Sequence, residues 1–295
     1  MHVQRHFRQL FEGQWGQGNF ACVGLDPDYS KVPPALKQKG EESPGKVILE
    51  FNKAIVKATA DVASAYKPNI AFYEDHGSEG LTALYETVAY IHEVAPTVPV
   101  ILDAKRGDIG NTNLGYARMA FDYLQADGIT LHGYLGQEAM KPFLDRESKL
   151  CIFLCKTSNP GAGEFQDLMV PIAEDEAASL GVEGSATAPL YQHVAYQVSR
   201  SWNGNGNCAL VVGAPYPEDL KKVRTIVGDI PILIPGVGKQ GGSVEAAVNA
   251  GKDSRGWGMI INSSSDIIFA SSGEDFAEAA RAKAILLRDN IRAAF

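Results

Sequence analysis

Short apolar runs, many of them β-branched, recur along the chain at residues 20–25, 65–73, 98–104, 128–132, 150–156, 209–214, 230–235 and 259–263. Most are continuously apolar rather than alternating, the pattern of strands in a parallel sheet covered on both faces. Between them the apolar positions take helical spacing. Val47, Phe51, Ile55 and Ala58 share one face, and Leu81, Leu84, Val88 and Ile91 share another that ends before Pro96. Pro217 suits the first turn of a helix carrying Leu220, Val223 and Val227, while Phe276, Ala280, Leu287 and Ile291 stripe a closing helix. Strand and helix alternate throughout, and no G-x-G-x-x-G fingerprint follows the first strand. The pattern therefore predicts a closed (β/α)₈ TIM barrel of the α/β class rather than an open doubly wound sheet. In such a barrel the chemistry belongs on the loops leaving the C-terminal ends of the strands.

Two segments interrupt the repeat. Residues 38–45 are polar and punctuated by Gly and Pro, and residues 159–187 form a long stretch rich in Gly, Ala and acidic residues after the fifth strand. Both are expected as insertions on a single barrel domain spanning residues 1–295. The second would lie on the active-site side, as part of a lid or as surface decoration.

Composition narrows the partners. A net charge of −8 argues against a polyanion-binding surface, and hence against nucleic acid, yet leaves room for one phosphate in a local pocket. Apolar runs such as 98–102 fall well short of the roughly 18 residues that cross a bilayer. Residues 1–18 lack the apolar stretch of a signal peptide. A cytoplasmic protein with no membrane partner is expected. Cys22, Cys151, Cys155 and Cys208 lie in or beside apolar runs, without a further Cys or His pair to complete a metal set, and are expected as buried, reduced thiols.

The third apolar run leads at once into Asp103, Lys105 and Asp108. Charges placed there need partners, and strand alternation would point Asp103 and Lys105 to one side, toward the barrel mouth. A simple strand-end salt bridge is one reading and a catalytic array the other. The continuation Asp108-Ile109-Gly110-Asn111-Thr112 adds a second carboxylate and a threonine suited to capping a helix, which favours the array.

The segment Asp103-Ala104-Lys105-Arg106-Gly107-Asp108-Ile109-Gly110-Asn111-Thr112 resembles the Asp-x-Lys-x-x-Asp-Ile-x-x-Thr hallmark of the orotidine 5′-phosphate decarboxylase family. The resemblance extends to Gly24-Leu25-Asp26, Tyr66-Lys67-Pro68-Asn69, Thr157-Ser158-Asn159-Pro160 and the Gly-rich run from Pro235 through Gln240 to Gly242. It is greatest to the longer bacterial branch. It implies decarboxylation of orotidine 5′-phosphate to UMP in pyrimidine biosynthesis, with neither metal nor cofactor. Lys67, Asp103, Lys105 and Asp108 would form a charged tetrad, with Lys105 as proton donor and Asp108 shared across a homodimer interface. Asp26 and Thr112 would bind the ribose, Ser158 the pyrimidine edge, and Ile109 with Pro235 would wall the apolar side. Gln240 would serve the phosphate, with Ser264 and Ser265 at the same end after the eighth strand.

The chain departs from the family pattern in two places. An arginine normally follows the eighth strand in Asn-Ser-Ser-Arg, whereas this chain reads Asn262-Ser263-Ser264-Ser265-Asp266. Losing one charge-assisted hydrogen bond of about 1.5–3 kcal/mol weakens phosphate binding roughly ten- to a hundred-fold. Lys239, within the Gly-rich loop, is the candidate substitute; Arg255 precedes the eighth strand and belongs to the opposite end of the barrel. His132-Gly133 replaces Asn-Pro after the fourth strand, and His132 reads as a packed polar group.

Three other functions stay open. A metal-dependent sugar-phosphate synthase or epimerase barrel can share the Asp-x-Lys-x-x-Asp strand. A class I aldolase would need Lys105 or Lys67 as a neutral amine, which flanking carboxylates oppose. A degenerate barrel would bind nucleotides without turnover.

Overall fold

The structure, a computed structural model, describes residues 5–37, 43–182, 184–238 and 241–295. Its strands are β1 (Ala21–Leu25), β2 (Ala65–Pro68), β3 (Ile101–Arg106), β4 (Gly128–Leu131), β5 (Leu150–Lys156), β6 (Met169–Pro171), β7 (Thr187–Pro189), β8 (Cys208–Val212), β9 (Ile232–Pro235) and β10 (Met259–Ser263). One eight-stranded sheet runs in the order β2-β1-β10-β9-β8-β5-β4-β3, while β6 and β7 form a separate antiparallel pair. Parallel registers run from Cys22↔Ala65 to Leu25↔Pro68 between β1 and β2, and from Cys151↔Cys208 between β5 and β8. The ends of the order, β2 and β3, are joined by the parallel bridges Tyr66↔Val100 and Asn69↔Asp103. The fold is a (β/α)₈ barrel. Every residue of β1 and β8 is buried, which is why these strands read as unbroken apolar runs.

Strand limits moved where local hydrogen bonds compete with the ladder. The run 65–73 stops at Pro68, because Asn69 Oδ1 accepts from the Ala71 N–H and opens the helix Ala71–Glu74. The run 98–104 becomes Ile101–Arg106: the Val98 carbonyl accepts from Arg5 and the Val100 N–H donates to Asp127.

By internal packing the chain divides into two compact units. One holds residues up to Ala104 with Tyr116–Ile129 and Asn262–Ala293. Its first helix, Phe7–Gly16, buries Phe7, Phe11 and Trp15 at four-residue spacing, an amphipathic signal diluted in the sequence by polar neighbours. The helix Pro44–Thr59 begins inside the predicted 38–45 insertion; residues 38–42 lie outside the described residues. Pro44 takes the first-turn position, and Gly45 is needed because a Cβ there would stand 2.5 Å from the Glu79 carbonyl oxygen. Ala58 is only half-buried; Val47, Ile48, Phe51, Ile55, Val56 and Thr59 supply the inner face.

The other unit holds Lys105–Gly115, Thr130–Ile261 and the last two residues. In it the segment 159–187 has its own architecture. The helix Gly163–Gln166 leads to β6, and the helix Glu174–Ser179 leads to β7. Leu190 N–H donates to the Leu168 carbonyl (2.8 Å), and His193 Nδ1 meets Glu176 at 2.8 Å. Among the described residues no helix is long and apolar enough to cross a membrane.

Asp127 shows what a buried charge requires. It is fully buried, takes Arg5 through Nε at 2.9 Å and Nη2 at 2.7 Å, and accepts the Val100 N–H at 2.9 Å. Removing one partner of such a pair strands the other. Arg5→Ala is expected to lower stability by about 3–5 kcal/mol in urea unfolding; a loss below about 1 kcal/mol would show that Arg5 behaves as a surface ion pair.

Candidate active site

In the first unit Lys67 of β2 and Asp103 of β3 face each other, Nζ to Oδ2 at 2.7 Å. Both are buried, 4% and 8% exposed. Burial by itself pulls the Lys67 ammonium toward neutrality, but Asp26, just past β1, and Asp103 together outweigh it and hold Lys67 above its ordinary range. Lys67 is therefore a fixed cation, unsuited to Schiff-base chemistry. The adjoining Cys22 thiol is pushed up to about 12, first by burial, with the two carboxylates adding and Lys67 opposing. It is inert as a nucleophile. All four cysteines are buried.

Five side-chain oxygens in this unit are buried without a hydrogen-bond partner among the described residues: Asp26 Oδ1, Asn52 Oδ1, Ser64 Oγ, Asn262 Oδ1 and Ser264 Oγ. An unpaired buried polar atom costs about 1–3 kcal/mol, so such atoms call for an explanation. Ser264 lies against Gly24, where a Cβ would come 2.6 Å from the serine Cβ. Near its end β1 thus needs glycine at position 24 for close approach. Ser265 is exposed and opens the short helix Ser265–Ile268, with Asp266 next to it.

In the second unit Lys105 ends the regular strand geometry. Its φ of 46° lies in the left-handed region, disfavoured for lysine, and its N–H donates to Thr130 Oγ1 at 3.0 Å. Strand alternation, used to place Asp103 and Lys105 on one side, assumes extended backbone and does not carry through this residue. Lys105 is exposed, whereas Asp103 is buried.

Asp108 is held by a residue that sequence reasoning missed. Asn113, fully buried, accepts the Asp108 N–H through Oδ1 at 2.9 Å and donates through Nδ2 to the Asp108 carbonyl at 2.5 Å and the Ala139 carbonyl at 2.6 Å. Asp108 Oδ1 in turn accepts the Ile109 N–H at 2.8 Å. The expected cap, Thr112, is the third residue of the helix Gly110–Ala117 and exposed; the cap assignment is corrected. A bare asparagine one position past Thr112 carries no signal in sequence, because its role depends on β4's following helix supplying Ala139.

Gly107 is tied to His132, as expected of a packed polar group: a Cβ on Gly107 would meet His132 Nε2 at 2.6 Å, and the His132 N–H donates to the Arg106 carbonyl. Ile109 stands 64% exposed. Ser158 is half-buried against Gly213 after β8, and Pro235 ends β9, its carbonyl accepting from Ala214 N–H at 2.9 Å. Beyond it the chain turns back on itself, with Gly238 N–H donating to Gly242 and Gly242 N–H to Gly236. Gly236, Gly238 and Gly241 all have positive φ, which only glycine adopts freely. Lys239 and Gln240 lie outside the described residues. Arg255, which precedes β10, is engaged by Asp253 at 2.7 Å. Among the described residues no three His, Cys, Asp or Glu side chains are grouped to hold a metal ion.

Residues 21–282 match the profile of the orotidine 5′-phosphate decarboxylase / HUMPS family. The chain is 45% identical over 289 residues to an orotidine 5′-phosphate decarboxylase of Cellvibrio japonicus (strain Ueda107), covering 98% of each. Its fold is similar to that of Leishmania donovani OMP decarboxylase, with a TM-score of 0.77 and 34% identity over 96% of this chain and 99% of that one. Leishmania donovani UMP synthase gives a TM-score of 0.82 at 35% identity over 99% of this chain, which spans only 57% of that longer protein.

Asn113→Ala is expected to lower stability by about 1–3 kcal/mol, since it leaves buried backbone groups unpaired. Amide exchange at Asp108 and Ile109 should accelerate with it. Unchanged exchange would mean the loop holds its shape without the clamp.

Proposed function

The chain belongs to the orotidine 5′-phosphate decarboxylase / HUMPS family and is a carboxy-lyase; we propose that it converts orotidine 5′-phosphate to UMP and CO₂ in pyrimidine biosynthesis, without metal or cofactor. The observation that carries this reading is the buried Lys67–Asp103 pair under the field of Asp26, with Asp103 two residues upstream of Lys105. An ionised carboxylate kept among apolar strands is suited to repel a second one. At about 4 Å and an effective dielectric near 20, that repulsion is roughly 4 kcal/mol. It falls away as the C6–carboxylate bond breaks and CO₂ departs. The electron pair stays on C6, where the Lys105 ammonium stabilises it and delivers a proton, giving UMP and a neutral amine that regains its proton from solvent. Lys67 and Asp108 complete a network of alternating charge, with Asp108 lent to the neighbouring site of a homodimer. The exposed Ile109 beside it supports a position covered by substrate and partner subunit.

The orphaned Asp26 Oδ1 is matched to a ribose hydroxyl donor, with Thr112 as the second ribose contact. Ser158 reads the pyrimidine edge and Pro235 walls the apolar side with Ile109. Ser264 Oγ, buried and without a partner among the described residues, has a proton to offer a phosphate oxygen. Ser265 and Gln240 are its companions in this reading, and Lys239 supplies positive charge. In this reading residues 1–295 form one barrel domain that acts in the cytoplasm.

Decarboxylation is followed by the ultraviolet absorbance change of orotidine 5′-phosphate. Wild-type turnover is expected to persist in EDTA, and Lys105→Ala to lose at least about 100-fold in kcat, the contribution of a placed general acid. Turnover abolished by EDTA would overturn the metal-free reading, and a wild type inactive on orotidine 5′-phosphate would favour the metal-dependent sugar-phosphate barrel. Ser265→Arg is expected to lower KM about ten- to a hundred-fold with kcat little changed; an unchanged KM would show that the phosphate is already fully held.

A further inference from the structure

Lys156, the last residue of β5, is a second buried lysine, and the reaction above makes no use of it. It is 3% exposed. Its ammonium pairs with Asp167 and lies 5.3 Å from the ring centre of Tyr191 and 5.2 Å from that of Tyr216. These partners come from three places: Asp167 follows the helix Gly163–Gln166, Tyr191 lies in the helix Leu190–Gln197, and Tyr216 precedes the helix Pro217–Val227. An ammonium is costly to bury unless it is paired, so one charge gathers three elements around the end of β5.

A second fastening stands beside the first. Thr157 N–H donates to Gln166 Oε1 at 2.9 Å, Gln166 Nε2 donates to Thr157 Oγ1 at 2.8 Å, and that hydroxyl donates to Asn159 Oδ1 at 2.6 Å. The Tyr191 hydroxyl donates to Asp219 at 2.9 Å, which fixes the ring under the ammonium. On the β8 side the Gly213 N–H donates to the Lys156 carbonyl at 2.8 Å. Ser158 sits between these fastenings, seated on Gly213, where a Cβ would come within 3.0 Å of the serine Cβ.

We infer that Lys156 is a positioning residue: through Asp167, Tyr191 and Tyr216 it braces the segment after β5 in the form that presents Ser158 to the pyrimidine. The inference rests on the proposed reaction. It makes the 159–187 segment a structural support of the substrate-binding loop. Residues that act through one another lose their effects non-additively, and that is the signature a merely structural lysine lacks.

The test uses full-length wild type, Lys156→Met, Lys156→Arg, Asp167→Asn, Ser158→Ala, and Ser158→Ala combined with each of the Met and Asn changes. kcat/KM for orotidine 5′-phosphate and Tm are read for each. Lys156→Met and Asp167→Asn are expected to lower kcat/KM about tenfold or more, with Lys156→Arg recovering part of the loss. In the Ser158→Ala background either change should cost no more than about twofold. Multiplicative losses, or a lowered Tm with kcat/KM intact, would overturn the inference. Asp167 is half exposed, so Asp167→Asn carries the same cycle if Lys156→Met does not fold. A wild type silent on orotidine 5′-phosphate overturns the proposed reaction instead. Amide exchange at residues 157–159 then decides the brace alone, since unchanged exchange in Asp167→Asn would remove it.

Discussion

A charge placed inside a parallel barrel has little water to turn to, so each one must be matched by the protein itself. The Lys67–Asp103 pair is the case on which the site depends. Two acidic groups outweigh the burial that would neutralise the lysine, and the result is a cation and a carboxylate locked together at 2.7 Å. The same constraint recurs with different solutions. Arg5 answers Asp127 with a two-pronged contact, and Arg224 is buried against the carbonyls of Gly228, Ile230, Gly251 and Gly258, with burial lowering it to about 10. Lys156 is answered by one carboxylate and two aromatic faces.

A strained residue follows the Lys67–Asp103 pair in sequence. Lys105 departs from the strand with a left-handed backbone, while Asn113 holds the following loop by the backbone of Asp108 rather than by its carboxylate. One Asp108 oxygen turns back to the Ile109 N–H. Strain at Lys105 is stable only because the surrounding elements over-determine it: Thr130 receives its N–H, and His132 closes over Gly107. The glycines near the site serve the same end. Gly24, Gly107 and Gly213 each give way to a neighbouring side chain, so that Ser264, His132 and Ser158 can sit where they do.

In the proposed reading, the end of the site that would take the phosphate departs from the family pattern. Ser265 and Asp266 stand where the family pattern has an arginine followed by the helix. In the proposed reading the buried Ser264 hydroxyl is a neutral donor, which binds a phosphate more weakly than a guanidinium does. On that reading, affinity at that end is separable from chemistry at the charged pair, since the two rest on different strands.

Much of this was legible from the residues in order. Continuous apolar runs specified eight buried strands, because a strand covered on both faces has no solvent side to alternate with. The Asp-x-Lys-x-x-Asp spacing marked the end of β3 for the same electrostatic reason that makes charge there costly. Local competition decided the rest of the secondary structure: Asn69 cut β2 short, Arg5 and Asp127 delayed β3, and Pro44 drew part of a presumed insertion into a helix. Asn113 and Lys156 were invisible in sequence, being an ordinary asparagine and an ordinary lysine until residues 26 and 35 positions away are brought against them. Periodicity and charge are local properties, so the barrel and the charged segment at the end of β3 could be read from the residues in order. Which buried polar groups find partners was settled in three dimensions, because pairing depends on neighbours distant along the chain.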